Sequence, residues 1–244
     1  YVDFNHPDRF DGVVYQNSSS IAGGGATYFS SSSPNNAFAE TAEIEVIFPR
    51  KFEFANSQYF DTPFVTASVF GKTRAHPTPS NFTAAFGSSD VWFNVYAVRT
   101  HQNSKDVYFV LDSPAHFVAP LTSSVYSNVY DNQKWNFAVK IKSKNWPYTT
   151  GSVNSGDTAT GDCDVTFVGY NVENGVVRNE FSIATSSIPE TIGEEYNFRY
   201  FVGAQRTNFT STVLKQTDIL ASSLRVYETH LDDEVIKSHA LDPE

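Results

Sequence analysis

Alternation between apolar and polar positions dominates this 244-residue chain. Glu43–Phe48 reads E-I-E-V-I-F, charged and apolar side chains taking turns, as a strand with one wet face requires. Phe64–Phe70, Val91–Arg99, Val107–Leu111 and Lys134–Lys142 follow the same period of two. So do Val165–Val172, Val176–Ile183, Tyr200–Ala204 and Leu224–Glu228. Clusters of Pro, Gly, Ser and Asn separate these runs, which indicates a sandwich or barrel rather than βαβ units. Asn174-Gly175, between two such runs, predicts a type I′ hairpin, because both central residues need positive φ.

One segment has a helical pattern. Asp232–Ala240 carries an N-cap candidate at Asp232, acids in its first turn, and Lys237 and His239 toward its end, as the helix dipole prefers. Three polar stretches, Asn17–Gly25, Ser30–Asn36 and Tyr148–Asp164, read as loops, since strands resume on either side of each. A single domain over residues 1–244 is the expectation. Tyr1–Phe4 reads as the middle of a strand, so the chain is expected to be a fragment of a longer polypeptide.

Composition supports the all-β reading. Val far outnumbers Leu, beside 21 Phe and 13 Tyr, so residues that suit a pleated sheet outweigh straight-chain helix formers. The net charge of −10 excludes the basic footprint that nucleic acid or anionic membrane needs. No stretch approaches the roughly 18 apolar residues of a membrane-spanning helix. A lone Cys163 leaves neither an internal disulfide nor a cysteine-based zinc site. Few charges and abundant Ser, Thr and Asn suggest an extracellular or virion-surface protein.

The last third of the chain resembles the concanavalin A-like, laminin-G-like jelly roll. In that family a central strand reads D-G-x-W-H-x-V-A-V-x-x-D. Here Asp131–Lys142 reads D-N-Q-K-W-N-F-A-V-K-I-K, with Trp135 in the matching place. The family closes on a strand and helix similar to I-x-x-V-R-I-Y-N-R-A-L-S-x-E-E-I, and Ser222–His239 reads S-S-L-R-V-Y-E-T-H-L-D-D-E-V-I-K-S-H. The hairpin at Asn174-Gly175 lies between them, as in the family. The resemblance implies an antiparallel β-sandwich with one short C-terminal helix. It also brings glycan binding, rim calcium sites and polysaccharide-cleaving enzymes into view.

Each chemistry has candidate residues. Glycosidases need paired carboxylates, and Glu43 and Glu45 have the i, i+2 spacing that puts both on one side of a strand. Phe48, however, stands where the family's glucanase phrase has its last acid, so a solvated strand face is the preferred account and no catalytic residue is expected. Asp157, Asp162 and Asp164, interleaved with glycines in one loop, form a candidate calcium set, with turn-forming aspartates as the plainer account. The six histidines are scattered, without the spacing that pairs two imidazoles on one face. Sugar stacking needs exposed aromatics; Trp146 and Tyr148 lead the candidates, followed by Tyr130 and Trp92, while Trp135 is assigned to the core.

The expected function is a non-catalytic module that binds glycans or mediates adhesion on an extracellular or virion surface. The alternatives are a structural domain of a virion or fibre that packs against copies of itself or neighbouring structural proteins, and a divergent polysaccharide-cleaving enzyme.

Overall fold

The structure is a computed structural model that describes residues 2–3, 13–16, 39–51, 64–74, 91–143, 146, 162–189, 198–206, 213–227 and 229–242. Its strands in chain order are β1 (Val2–Asp3), β2 (Val13–Gln16), β3 (Ala39–Phe48), β4 (Thr66–Arg74), β5 (Val91–Arg99), β6 (Val107–Asp112) and β7 (Leu121–Thr122). Then come β8 (Gln133–Ser143), β9 (Asp162–Glu173), β10 (Val176–Pro189), β11 (Phe198–Val202), β12 (Gln205–Arg206), β13 (Val213–Lys215) and β14 (Leu220–Tyr227). Helix α1 (Asp233–Leu241) closes the described chain.

Two six-stranded antiparallel sheets face each other. The first has the order β1-β14-β3-β8-β9-β10 and the second β2-β11-β4-β5-β6-β7. The chain crosses between them repeatedly, placing early and late strands side by side. The result is an antiparallel β-sandwich with one C-terminal helix, as the sequence predicts. The Asn174-Gly175 turn has φ of 53° and 72°, as the sequence predicts.

Parity decides what lies between the sheets. Ala42, Ile44, Val46 and Phe48 of β3 point inward, beside Trp135, Phe137 and Val139 of β8. Phe70, Phe93, Val95 and Phe109 meet them from the second sheet. The Phe109 ring lies 4.6 Å from that of Trp135 and 4.7 Å from that of Phe137, so aromatic edges and faces tie the layers together. At Gly169 the absence of a side chain makes room for the ring of its cross-strand neighbour Phe181; a Cβ there would lie 2.3 Å from that ring.

The helix packs on the outer face of the first sheet, not against an edge. Ile236 and Ala240 are buried against Ala138, Val168, Tyr170 and Val172 in a second, smaller core. Asp232 occupies the N-cap position with extended backbone, but its side chain makes no capping hydrogen bond. Among the described residues, no helix is long and apolar enough to cross a membrane.

Candidate functional site

The aromatic candidates are dispersed. Tyr130 is fully buried, and its hydroxyl donates to Asp218 Oδ1 at 2.7 Å. Trp92 is 4% exposed, with Lys72 Nζ 4.6 Å from its ring centroid. Neither ring offers a free face to a sugar, because both serve as interior walls around buried charges. Trp146 is half-buried just beyond β8, its backbone N–H donating to the Ser143 carbonyl. Tyr148 lies outside the described residues.

The aspartate trio is divided in the same way. Asp162 and Asp164 fall within β9, where the backbone pairs them with Pro189 and Lys142. The strand therefore starts inside the stretch that the sequence marks as loop. Asp157 lies outside the described residues. Among the described residues, no group of three or more His, Cys, Asp or Glu side chains gathers to hold a metal ion.

Glu43 and Glu45 depart most from expectation. Their strand face is covered rather than solvated: Glu43 is 1% exposed and Glu45 4%. Glu43 accepts from Asn136 Nδ2 at 2.8 Å and contacts His239 Nδ1 of the helix at 2.9 Å, with Arg225 Nη1 3.6 Å away. Glu45 pairs with Lys134 at 2.9 Å. Glu43 thus ties the helix to the sheet, and Glu45 ties β3 to β8 within it.

The described surface has a polar cleft at one end of the sandwich. The turn before β8 supplies Asn128, Asp131 and Asn132, β8 supplies Gln133 and Lys134, and the β9–β10 hairpin supplies Asn171, Glu173 and Asn174 around a volume of ≈ 320 Å³. Asn128, Asn132 and Asn174 have φ of 58°, 64° and 53°, a left-handed backbone that asparagine tolerates better than most residues. Left-handed turns thus carry the carboxamides to the rim.

Neighbouring contacts fix this lining. Asn132 Oδ1 accepts from the Arg50 backbone N–H at 2.9 Å, and Gln133 Oε1 accepts from Trp135 Nε1–H at 3.2 Å. Asn171 Nδ2 donates to the Lys134 carbonyl at 2.9 Å. The charged members have ionic partners: Asp131 with Arg50 at 2.8 Å, Glu173 with Arg178 at 3.2 Å, and Lys134 with Glu45. Gln133 Nε2 donates to the Ser127 carbonyl at 3.3 Å and Asn171 Oδ1 accepts from Asn179 Nδ2 at 2.9 Å, so both ends of these two carboxamides are engaged. The cleft presents chiefly the carboxamides of Asn128 and Asn174 and the Nδ2 of Asn132 to a ligand. The sequence carries a trace of this site, two asparagines in the S-N-V-Y-D-N-Q turn, but only the hairpin's approach to that turn makes a cleft.

A second cleft of ≈ 340 Å³ runs between Phe64–Thr66 and Val213–Gln216. Val65 and Leu214 are exposed beside it, so its walls are more apolar.

No family model matches the chain, and no curated protein sequence matches it. Among solved structures it is similar to a native heptameric SAP-like pentraxin from Limulus polyphemus, at 12% identity and a TM-score of 0.43, over 84% of this chain and 70% of that one. It is also similar to a mutant alginate lyase in complex with alginate trisaccharide, at 12% identity and a TM-score of 0.36, over 80% of this chain and 71% of that one. With scores below 0.5, neither says what this chain binds.

Proposed function

We propose that the chain is a non-catalytic, laminin-G-like glycan-binding module of an extracellular or virion surface, and that its ligand sits in the rim cleft. The observation that supports this reading is the lining, five carboxamides around one cavity. Gln133 and Asn171 are held at both ends by the protein and brace the wall, while Asn128, Asn132 and Asn174 face the ligand. A carboxamide offers both a donor and an acceptor, which is what a sugar hydroxyl needs. The volume is at the small end of ligand sites, about 300–1,000 Å³, and suits one or two sugar units better than a long groove. Stacking contributes less here than hydrogen bonding, and weak, multivalent binding is expected.

Glycan-array binding followed by calorimetry tests the reading. Asn128→Gly with Asn174→Gly removes two carboxamides yet keeps a residue that accepts positive φ, so the fold should survive. Binding should weaken about tenfold or more, by the loss of two hydrogen bonds of about 1 kcal/mol each. Unchanged affinity in the double variant would remove the cleft as the site. Silence of the wild-type chain across polysaccharides, with and without calcium, would remove the function; release of new chain ends from a polysaccharide would replace it with an enzyme.

A specific observation favours assembly as the second reading. β10 ends the order of its sheet and is 14 residues long. From Phe181 to Thr185, ahead of its register shift and Pro189, it carries no charge, so this stretch of edge lacks the charged side chains that block further pairing. A concentration-independent monomer by light scattering would count against it.

A further inference from the structure

Away from the cleft, a cluster inside the sandwich carries chemistry that packing does not require. Glu40 shares the inward parity of Ala42, Ile44 and Val46 and is 3% exposed. Lys72 faces it from the opposite sheet, cross-strand from Phe93 and Tyr200, and is 1% exposed. Lys72 Nζ lies 2.5 Å from Glu40 Oε2. The Tyr200 hydroxyl donates to Glu40 Oε1. The rings of Trp92 and Tyr200 flank the amine, their centroids 4.6 Å and 5.7 Å away. Among the described residues, Lys72 is the one cation within ion-pair distance of Glu40.

We propose that Lys72 and Glu40 condense to an intramolecular amide that fastens β3 of one sheet to β4 of the other. Taking an ammonium and a carboxylate out of water is costly, and a neutral pair avoids that cost. Burial pushes the Lys72 ammonium below its ordinary value, against the opposing pull of Glu40. Its proton passes to Glu40 Oε2, and the freed amine attacks the carboxyl carbon Cδ. The C–N bond forms and the bond from Cδ to Oε2 breaks. Oε2 leaves as water with its own proton and one from the amine, and nothing is oxidised or reduced.

Tyr200 supports the step. Its hydroxyl stays on Oε1, where negative charge gathers in the tetrahedral intermediate. Burial first, and Glu40 second, raise this phenol well above its ordinary value, so it remains a donor. Contact between amine and carboxyl supplies the high effective concentration that such a condensation needs.

Lys51 and Asp218 provide a contrast within the same molecule. They are also buried, 3.2 Å apart, but Arg99 Nη2 stands 3.8 Å from the same Asp218 oxygen. A guanidinium keeps its charge, so this carboxylate always has a fixed cation beside it and is held as the anion. No amide is expected there.

Intact-mass spectrometry of the folded chain reads the outcome. The wild-type chain should weigh one water less than its sequence, and proteolysis should yield one branched peptide joining the segments of Glu40 and Lys72. Lys72→Met should restore the full mass. Tyr200→Phe should slow the mass loss about tenfold or more, as removal of an oxyanion donor does. The wild-type measurement needs no variant to fold. Full mass in a cooperatively melting wild-type chain after prolonged incubation overturns the proposal, as does a water loss mapped to any other pair.

Discussion

Glu43 belongs to a strand that alternates as if one face were wet, yet its carboxylate is sealed from water. Its cover comes from far along the chain, through Asn136 on β8, Arg225 on β14 and His239 on α1. A period-two pattern reports which side chains share a face; it is silent on what lands on that face. Glu40 could be read further, because an acid at the parity of Ala42 and Ile44 marks a buried charge. Lys72 could not, since register shifts on either side of it, between Ser68 and Phe70 and between Lys72 and Thr73, reset the parity of β4. Glu43→Ala should cost about 2–3 kcal/mol, because it removes the 2.8 Å acceptor of Asn136 and the carboxylate that faces His239 and Arg225 in a mostly dry site. Urea unfolding measures this. A cost under about 0.5 kcal/mol, the range of an ordinary surface substitution, would mean that the carboxylate does not fasten the helix.

At the scale of elements, the alternating runs were legible because each strand buries one face against the same core. Val91–Arg99 is read with the bounds of β5, and Val176–Ile183 is the exposed start of a longer β10. Short strands such as β7 and β12 escape, since two residues cannot display a period. The helix was legible in its charges but not in its docking. Its partners Ala138, Val168, Tyr170 and Val172 lie on strands read from their inward side chains. The rim cleft was hidden for a similar reason: its asparagines read as turn formers, and their convergence follows from sheet order. Ile236 fills the second core, so Ile236→Ala should destabilise by about 2–4 kcal/mol. Amide exchange in residues 233–241 should then outpace that of β8. If the helix exchanges no faster than the sheet, it is held by something other than this core.

For the whole molecule, buried titratable groups shape the dependence of stability on pH. Burial first and Asp218 second hold the Tyr130 phenol well above its ordinary value, as burial and then Glu40 do for Tyr200. Tyr170 is pushed up to about 12 by burial, then by Asp233, Glu180 and Glu234. In the unfolded chain these phenols lose their protons near 10. From pH 10 upward the folded chain therefore holds protons that the unfolded chain has released, and stability falls. Lys72 acts in the opposite sense as long as it remains an amine, because its folded value is lowered; conversion to the amide takes it out of this balance. On the acid side, burial lowers His116 and His230 from 6.5, so the unfolded chain takes up protons first and stability falls as pH drops through that value. Urea midpoints across pH should thus show a plateau from about 7 to 10 with a decline on both sides, steeper on the alkaline side, where these phenols are joined by those of Tyr96, Tyr126 and Tyr227, all raised first by burial. Tyr170→Phe should flatten the decline between 10 and 12. Phenolate absorbance provides the independent check: in the folded chain at least three tyrosines should resist ionisation above pH 10, and a single transition there for all 13 would overturn this account.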